Sequence, residues 1–466
     1  MKLDLKRYLA GSGSGAWFGP IPSHWSARPS FGAFTPLSVR NRGLVEKTVL
    51  SLSYGRIVVR PPERLTGLVP ESFEGYQIVE AGDIVVRTTD LQNDHTSLRI
   101  GAVRERGIIT SAYLALRAKN GIDPDYAFLV LTVWDSSKAI YGFGSGLRQG
   151  LAFEHFKRMP IPVPPVEEQE AIVRFLDWAN GRLERVIRGK RKVIALLTEQ
   201  KQAIIHRSVT RGLDPTVPLK PSGIPWLGDI PAHWETLRLK NVTTHIVDCL
   251  HATPKYLPDG VYPAIRTADI TPGLVNVERA KKVGAADFAK WTERLVPEEG
   301  DIVYSREGER FGIAAPVPAH TDLCISQRMM IFRVSPGHDS EFIMWALNAD
   351  PTYRQATQDV MGSTSPHVNI STIRNFALAL PSASEQRQIC DSMAALLQPI
   401  EKSLQKLKQE LLLFAEYRTR LSADVVTGKL DAREASKNLP VEFGDDLVDE
   451  SAGDDELEID DEEAVV

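Results

Sequence analysis

Residues 168–214 read EQEAIVRFLDWANGRLERVIRGKRKVIALLTEQKQAIIHRSVTRGLD, and residues 385–431 read EQRQICDSMAALLQPIEKSLQKLKQELLLFAEYRTRLSADVVTGKLD. The two stretches keep one register from end to end, at an offset of 217 residues and with no gap. Both are long and poor in helix breakers, so the chain is a tandem of two units that each carry a long helix. A repeat of this period is too long for a solenoid, and each unit has the length to build its own core before its helix begins.

In the first helix, apolar or semi-apolar residues recur at Ile172, Leu176, Ala179, Leu183, Val186, Val193, Leu197 and Ile204, with polar Lys190 and Gln200 between. The second places Ile389, Met393, Leu396, Ile400, Leu407, Phe414, Tyr417 and Leu421 at the same spacing, with Ser403 and Glu410 interrupting and Leu404 and Leu411 beside them. Steps of three and four define a heptad seam. Gly181 and Pro399 stand at nearly matched points, where a kink or short interruption is expected. Two seamed helices bury themselves most simply against each other. If they run antiparallel, the units are related by an approximate twofold axis. About 39 helical residues would span roughly 58 Å, a ruler between the units.

Other landmarks recur in the same order. Ile21-Pro22-Ser23-His24-Trp25 returns as Ile230-Pro231-Ala232-His233-Trp234, Ala81-Gly82-Asp83-Ile84-Val85-Val86 as Glu299-Gly300-Asp301-Ile302-Val303-Tyr304, and Gly144-Ser145-Gly146 as Gly362-Ser363-Thr364. The offsets are 209, 218 and 218, so most length variation lies early in each unit. Between the lead-in and the first helix, short β-rich runs at Gly55 to Arg60, Asp83 to Thr88 and Ile108 to Leu116 alternate with turn residues, and Asp125 to Lys138 reads as a short helix. Met159-Pro160-Ile161-Pro162-Val163-Pro164-Pro165 reads as a stiff extended strap into the long helix.

Residues 441–466 hold 13 Asp or Glu and no Lys or Arg, so the chain's net charge of −5 becomes +8 for residues 1–440. A basic body followed by an acidic tail points to a polyanionic partner for the body, with the tail as a solubilising or competing segment. Cys249, Cys324 and Cys390 lack CxxC spacing and read as buried thiols, not as a disulfide framework or zinc site. No run approaches a membrane span and the N-terminus lacks a signal-peptide core, which leads to a cytoplasmic expectation.

Signatures of chemistry are missing: no Gly-x-x-x-x-Gly-Lys-Ser/Thr, no Gly-x-Gly-x-x-Gly after a strand, no His-Glu-x-x-His and no Asn/Asp-Pro-Pro-Tyr/Phe. His24 and His233 lie in matched turns without a nucleophile, which favours packing. Side chains that could read bases and grip phosphates are present. In the first unit they are Arg87, Thr88, Thr89, Asp90, Gln92 and Asn93 after an apolar strand, and Arg148 and Gln149 in the Gly-rich loop. In the second they are Arg266, Thr267 and Asp269, then Arg306, then His367 beside Gly362-Ser363-Thr364-Ser365-Pro366. Arg56, Arg60, Arg310, Gln327 and Arg328 are weaker candidates. A protein-only scaffold and a catalytic nuclease or methyltransferase with an unrecognised site stay open on the residues alone.

Pro225-Trp226-Leu227-Gly228-Asp229-Ile230-Pro231-Ala232-His233-Trp234, the Gly-rich loop running into Pro162-Val163-Pro164-Pro165-Val166-Glu167-Glu168-Gln169, and Thr427-Gly428-Lys429-Leu430-Asp431 resemble the specificity subunit of type I restriction-modification enzymes. The likeness covers roughly residues 16 to 435, with the second Pro-Pro-Glu-Glu-Gln replaced by Leu380-Pro381-Ser382-Ala383-Ser384-Glu385-Gln386. It implies an α+β chain with two similar mixed α/β target-recognition domains, separated by a pair of long antiparallel coiled-coil helices. On that reading, residues 1–15 are a flexible lead, 16–165 the first recognition domain, 166–206 the first spacer helix and 207–225 a linker. Residues 226–383 are then the second recognition domain, 384–423 the second helix, 424–440 an extension of the repeat and 441–466 the disordered tail. The resemblance further implies a non-catalytic reader of a bipartite double-stranded DNA target, with two methyltransferase subunits docked on the helices and motor-nuclease subunits beyond them. S-adenosylmethionine, ATP and magnesium belong to those partners, and none to this chain.

Overall fold

The computed structural model describes residues 14–15, 17–61, 72–89, 91, 97–142, 151–308, 310–358 and 367–439. Four helices carry the architecture: α1 (Pro124–Ser136), α2 (Val166–Arg211), α3 (Ser340–Leu347) and α4 (Ala383–Val426). Contacts divide the chain into two compact units, one from Met1–Gly189 with Glu410–Val466, the other from Lys190–Gln409. This division differs from the sequence repeat, because each unit keeps the front half of its own long helix and takes the back half of the other. Antiparallel pairing requires that exchange, since the end of one helix lies beside the start of the other.

In the first unit the strands are β1 (Ser26–Pro29), β2 (Phe34–Leu37), β3 (Asp83–Val86), β4 (Ile100–Ala102), β5 (Leu114–Ala118) and β6 (Pro160–Val163). The main sheet has the antiparallel order β2-β5-β3-β4. All four residues of β3 are buried; Ile84 and Val86 face one core and Val85 the other, so the strand is covered on both faces. Ile108 to Leu116 is not one strand: a turn in which the Tyr113 N–H donates to the Thr110 carbonyl separates Gly107–Ile109 from β5. The proline strap is the strand β6, paired with β1, and the Trp17 indole and Tyr126 hydroxyl donate to the Pro160 and Pro162 carbonyls at 2.9 Å.

The second unit holds β7 (Glu235–Arg238), β8 (Thr243–Asp248), β9 (Tyr262–Ile265), β10 (Lys281–Val283), β11 (Ile302–Ser305), β12 (Ala314–Pro316), β13 (Cys324–Ile325), β14 (Met329–Val334) and β15 (Ala377–Leu380). Its main sheet, β8-β14-β11-β12, repeats the order of the first, and β7 pairs with β15 as β1 does with β6. A further sheet, β10-β9-β13, has no counterpart of three strands among the described residues of the first unit.

The recurring motifs prove to be recurring polar locks. Asp83 accepts from the Glu80 amide and takes Arg117 at 2.7 and 2.9 Å; Asp301 accepts from the Glu298 amide and takes Arg333 at 2.9 and 2.7 Å. Those paired bonds hold both guanidiniums more firmly protonated than usual. Asp123 and Asp339 cap α1 and α3, accepting from Tyr126 and Phe342 amides. Gln169 and Gln386, fully buried at the start of the long helices, accept from the Asp123 and Asp339 amides at 2.8 Å and donate to the Pro164 and Pro381 carbonyls at 2.9 Å. The altered residues before Gln386 therefore leave this join intact.

His24 and His233 act in packing, as expected: their Nε2 atoms meet Glu168 at 2.8 Å and Glu385 at 2.9 Å, fastening each Pro-x-His-Trp turn to the first turn of its helix. The ends of the helices close on the same turns. Gly428 and Gly212 lie just past α4 and α2 at φ +74° and +71°, where a Cβ would strike Pro22 in the first unit and come within 3.2 Å of Trp234 in the second. Glycine is required there both for the left-handed cap and for the close approach.

In the first unit Glu168 faces Arg433 and Glu184 faces Arg418, so numbering rises along one helix as it falls along the other. In the second, Lys201 meets Glu401 at 2.8 Å and Gly212 lies by Glu385, giving the same antiparallel sense. At an offset of 217, Glu184–Arg418 and Glu401–Lys201 are one ion pair made twice.

Both helices run through Gly181 and Pro399 without an interruption. Their seam is shifted by one residue in places. Val186, Val193, Leu396 and Tyr417 are exposed, whereas Ile187 and Leu397 are buried and Ile194, Leu404 and Leu411 half-buried. Adjacent apolar pairs such as Val186-Ile187 offer two registers on the same helix, and the partner helix selects one. Leu421, Val425 and Val426 join the first unit's core with Ile172, Phe175 and Leu176; Ile205 and Val209 join the second's with Ile389, Met393 and Leu397.

Candidate nucleic-acid interface

In each main sheet the strand order brings three strand ends to one edge. For the second unit these are the end of β8 at Asp248, the end of β11 at Ser305 and the start of β14 at Met329, because Asp248 pairs with Met330 and Ser305 with Met329. The parallel pair β9 and β13 ends at the same place, the Ser326 amide donating to the Ile265 carbonyl at 2.8 Å. The turn Ser326-Gln327-Arg328 thus joins the two sheets.

Several sequence candidates collect there. Arg306, 8 % exposed, donates to Asp248 at 2.7 Å and also pairs with Glu307, and its carbonyl accepts from the Val368 amide. His367 bridges Glu307 on the strand-like return. His251 lies 3.1 Å from Asp248. Arg266 begins its turn at the end of β9, but its side chain bends back onto buried Asp269 with bonds of 2.8 and 2.7 Å. Arg266 and Asp269 thus close their own turn, and half-buried Thr267 opens the short helix between them. Arg87 and Arg266, alike in sequence, follow strands of different sheets.

In the first unit, Arg87 leaves β3 half-buried with its amide bonded to the Arg99 carbonyl. Thr88 turns inward, its hydroxyl donating to the Ala112 carbonyl at 2.8 Å, and exposed Thr89 gives its carbonyl to Arg99 Nη1 at 2.8 Å. Arg99, wholly buried, is the organiser that sequence reading missed; its amide donates to Asp135 and its Nε to the Tyr141 hydroxyl. Nothing local in the sequence marks it, since its partners lie 10 to 42 residues away. Asp90, Gln92, Asn93, Arg148 and Gln149, most of the first Gly-rich loop and residues 362–366 lie outside the described residues.

Two other candidate sites resolve into structure. Asp339, Glu341 and Cys390 come together, yet Asp339 already caps α3 and meets Arg387. Cys249, Cys324 and Cys390 are buried free thiols, and burial pushes Cys324 up to about 12, away from nucleophilic use. Among the described residues no helix is long and apolar enough to cross a membrane.

The family model for the type I restriction modification DNA specificity domain matches residues 58–188 and 231–413, one segment for each repeat. The chain belongs to that family. It is a sequence-recognising subunit of the type I restriction-modification class; the first match covers β3, β4 and β5 of its main sheet and the front half of α2, and the second covers its whole main sheet and most of α4. Among relatives, it is 23 % identical over 333 residues to the MjaVIII specificity subunit of Methanocaldococcus jannaschii, an alignment covering 70 % of this chain and 75 % of that one. It is 28 % identical over 99 residues to the EcoDI specificity subunit of Escherichia coli, spanning 21 % and 22 % of the two chains. A solved chain, described under complex assembly and conformational transition of the type I R-M system, superposes with a TM-score of 0.60 at 15 % identity, covering 88 % of this chain and 99 % of its own, and shows the shared fold.

Proposed function

We propose that each unit of this specificity subunit reads one half of a bipartite duplex target, that the long helices set the unread gap and dock two methyltransferase subunits, and that the chain itself performs no catalysis. The observation carrying this reading is the duplication: one strand order and one set of locks occur twice, while the polar residues at the equivalent sheet edge differ. A frame held constant beneath changed edge chemistry is what two independent readers need. The +8 charge of residues 1–440 suits a polyanion and implies salt-sensitive binding. Motor-nuclease subunits complete the assembly on this reading. S-adenosylmethionine serves the methyltransferases, and ATP with magnesium the motor; the solved relative described under complex assembly is in keeping with such partners.

The test is methylation mapping with the reconstituted chain and methyltransferase. A two-part motif separated by a fixed gap is expected, with no turnover by the chain alone. Exchanging residues 16–160 for those of a relative should alter one half of the motif only. Modification by the chain alone would establish a catalytic protein, and a complex without sequence preference at any salt concentration would leave a scaffold.

A further inference from the structure

Of the polar residues at the second unit's sheet edge, most are already committed: Arg306 to Asp248 and Glu307, Arg266 to Asp269, His251 to Asp248. The turn between β13 and β14 is different. Ser326 is buried and fixed by its amide bond to Ile265 and by the Tyr256 hydroxyl at 3.0 Å. Gln327 is half-buried; its Oε1 accepts from Thr253 at 2.6 Å, which orients the amide plane while its Nε2 carries no bond among the described residues. Arg328 is exposed at φ +71°, a left-handed conformation rare for a side chain of its size, and its carbonyl is held by the Arg306 amide at 2.9 Å. Its guanidinium has no ion-pair partner among the described residues and stands over Gly308, 3.6 Å from where a Cβ would lie.

We propose that the second unit reads its half-site with Gln327 and Arg328, inserted together as adjacent base-edge contacts. This rests on the DNA-reading function above and assigns it to two residues. Glutamine and arginine are the side chains whose paired donors and acceptors match adenine and guanine in the major groove. Both project from a turn pinned at three consecutive residues, so little ordering is left for binding. The strained φ of Arg328 aims the side chain outward past Gly308, and strain of this kind persists only where surrounding bonds hold it. Lys281, exposed on β10 opposite Ala264 near the same edge, supplies positive charge for the backbone. Among its described residues the first unit lacks this device. Leu114 pairs with Val86 as Met330 pairs with Tyr304, which puts exposed Ser111 and Ala112 where Gln327 and Arg328 stand. The two half-sites are therefore read from different loops.

The experiment uses the complex of this chain with its methyltransferase on a duplex library varied through both half-sites, with modified positions mapped by sequencing. Arg328→Gly removes the side chain where glycine is at ease, and Gln327→Ala removes the other; thermal melting of each complex shows whether the fold is retained. Expected is a loss of about 10- to 100-fold in discrimination at one base pair for each variant, at neighbouring positions of one half only, with the other half unchanged. Arg328→Lys should lose most of that discrimination too, because it lacks the bidentate fork. Unchanged motifs would overturn the assignment while leaving the reader intact. Uniform weakening across all sequences, with the salt slope reduced by about one, would make Arg328 a phosphate contact and overturn it likewise. A wild-type complex without any motif would instead defeat the reading function itself.

Discussion

Just past the central strand, at positions 218 residues apart, the first unit places Thr88 and the second Arg306, and both are buried. Thr88 closes its loop with one side-chain bond to the Ala112 carbonyl, leaving the edge to be organised by Arg99, which stands just before β4. Arg306 brings a charge of its own and needs Asp248 and Glu307 to hold it. A few residues away, in contrast, Asp83 and Asp301 make the same bonds to an amide and an arginine. Divergence begins where the strands stop. Bonds between the sheet, the helix caps and the long helices determine whether a unit folds, and are kept in both; bonds at the open edge determine what it meets, and have separated.

The comparison is tested hardest at the buried glutamines. Gln169→Leu would strand the Asp123 amide and the Gly121 and Pro164 carbonyls, and should cost the first unit about 4 kcal/mol; Gln386→Leu strands the Asp339 amide and Pro381 carbonyl and should cost the second about 3 kcal/mol. Hydrogen exchange followed separately in each unit reads both, and losses below 1 kcal/mol would show that the shared lock is not what holds the frame. Next come the helix-end glycines. Gly428→Ala meets Pro22 as well as the left-handed penalty and should destabilise the first unit by about 3 kcal/mol, against about 1 kcal/mol for Gly212→Ala in the second. Equal losses in urea titrations followed by exchange would mean that the close approach is not felt.

The smallest effect is one of pH. Burial holds His338 below its ordinary value of 6.5, whereas Ile122 precedes the equivalent cap, Asp123, in the first unit. Its neutral form is favoured in the folded state, so the stability it contributes is complete above pH 6.5 and is lost as pH falls through the lowered value. Melting of the second unit should weaken in that window more than in a His338→Ile variant; identical acid profiles would remove His338 from the account.

The tandem layout, the long helices and the helix at Asp125 to Lys138 were legible because they rest on repetition and local period. Heptad positions were less so: wherever two apolar residues adjoin, as at Val193-Ile194 and Leu396-Leu397, only the partner helix decides which one turns inward. The matched Pro-x-His-Trp and Gly-Asp-Ile-Val turns were visible as repeats, but their purpose was not, since His24 meets Glu168 across 144 residues and Asp83 meets Arg117 across 34. The candidate interface was the least legible part. Arg266 and Asp269 looked available and satisfy each other, while Gln327 and Arg328, weak as isolated letters, gain their standing from Thr253, Tyr256 and Arg306, which only the fold brings near.

The exchange of helix halves also bears on how the chain is made. The second unit is one unbroken stretch, Lys190–Gln409, whereas the first draws Leu421, Val425 and Val426 into its core from beyond it. On the ribosome, where segments become available from the N-terminus onward, the unit begun first is the one completed last, and its nascent core waits for residues translated after its sister has everything it needs to fold.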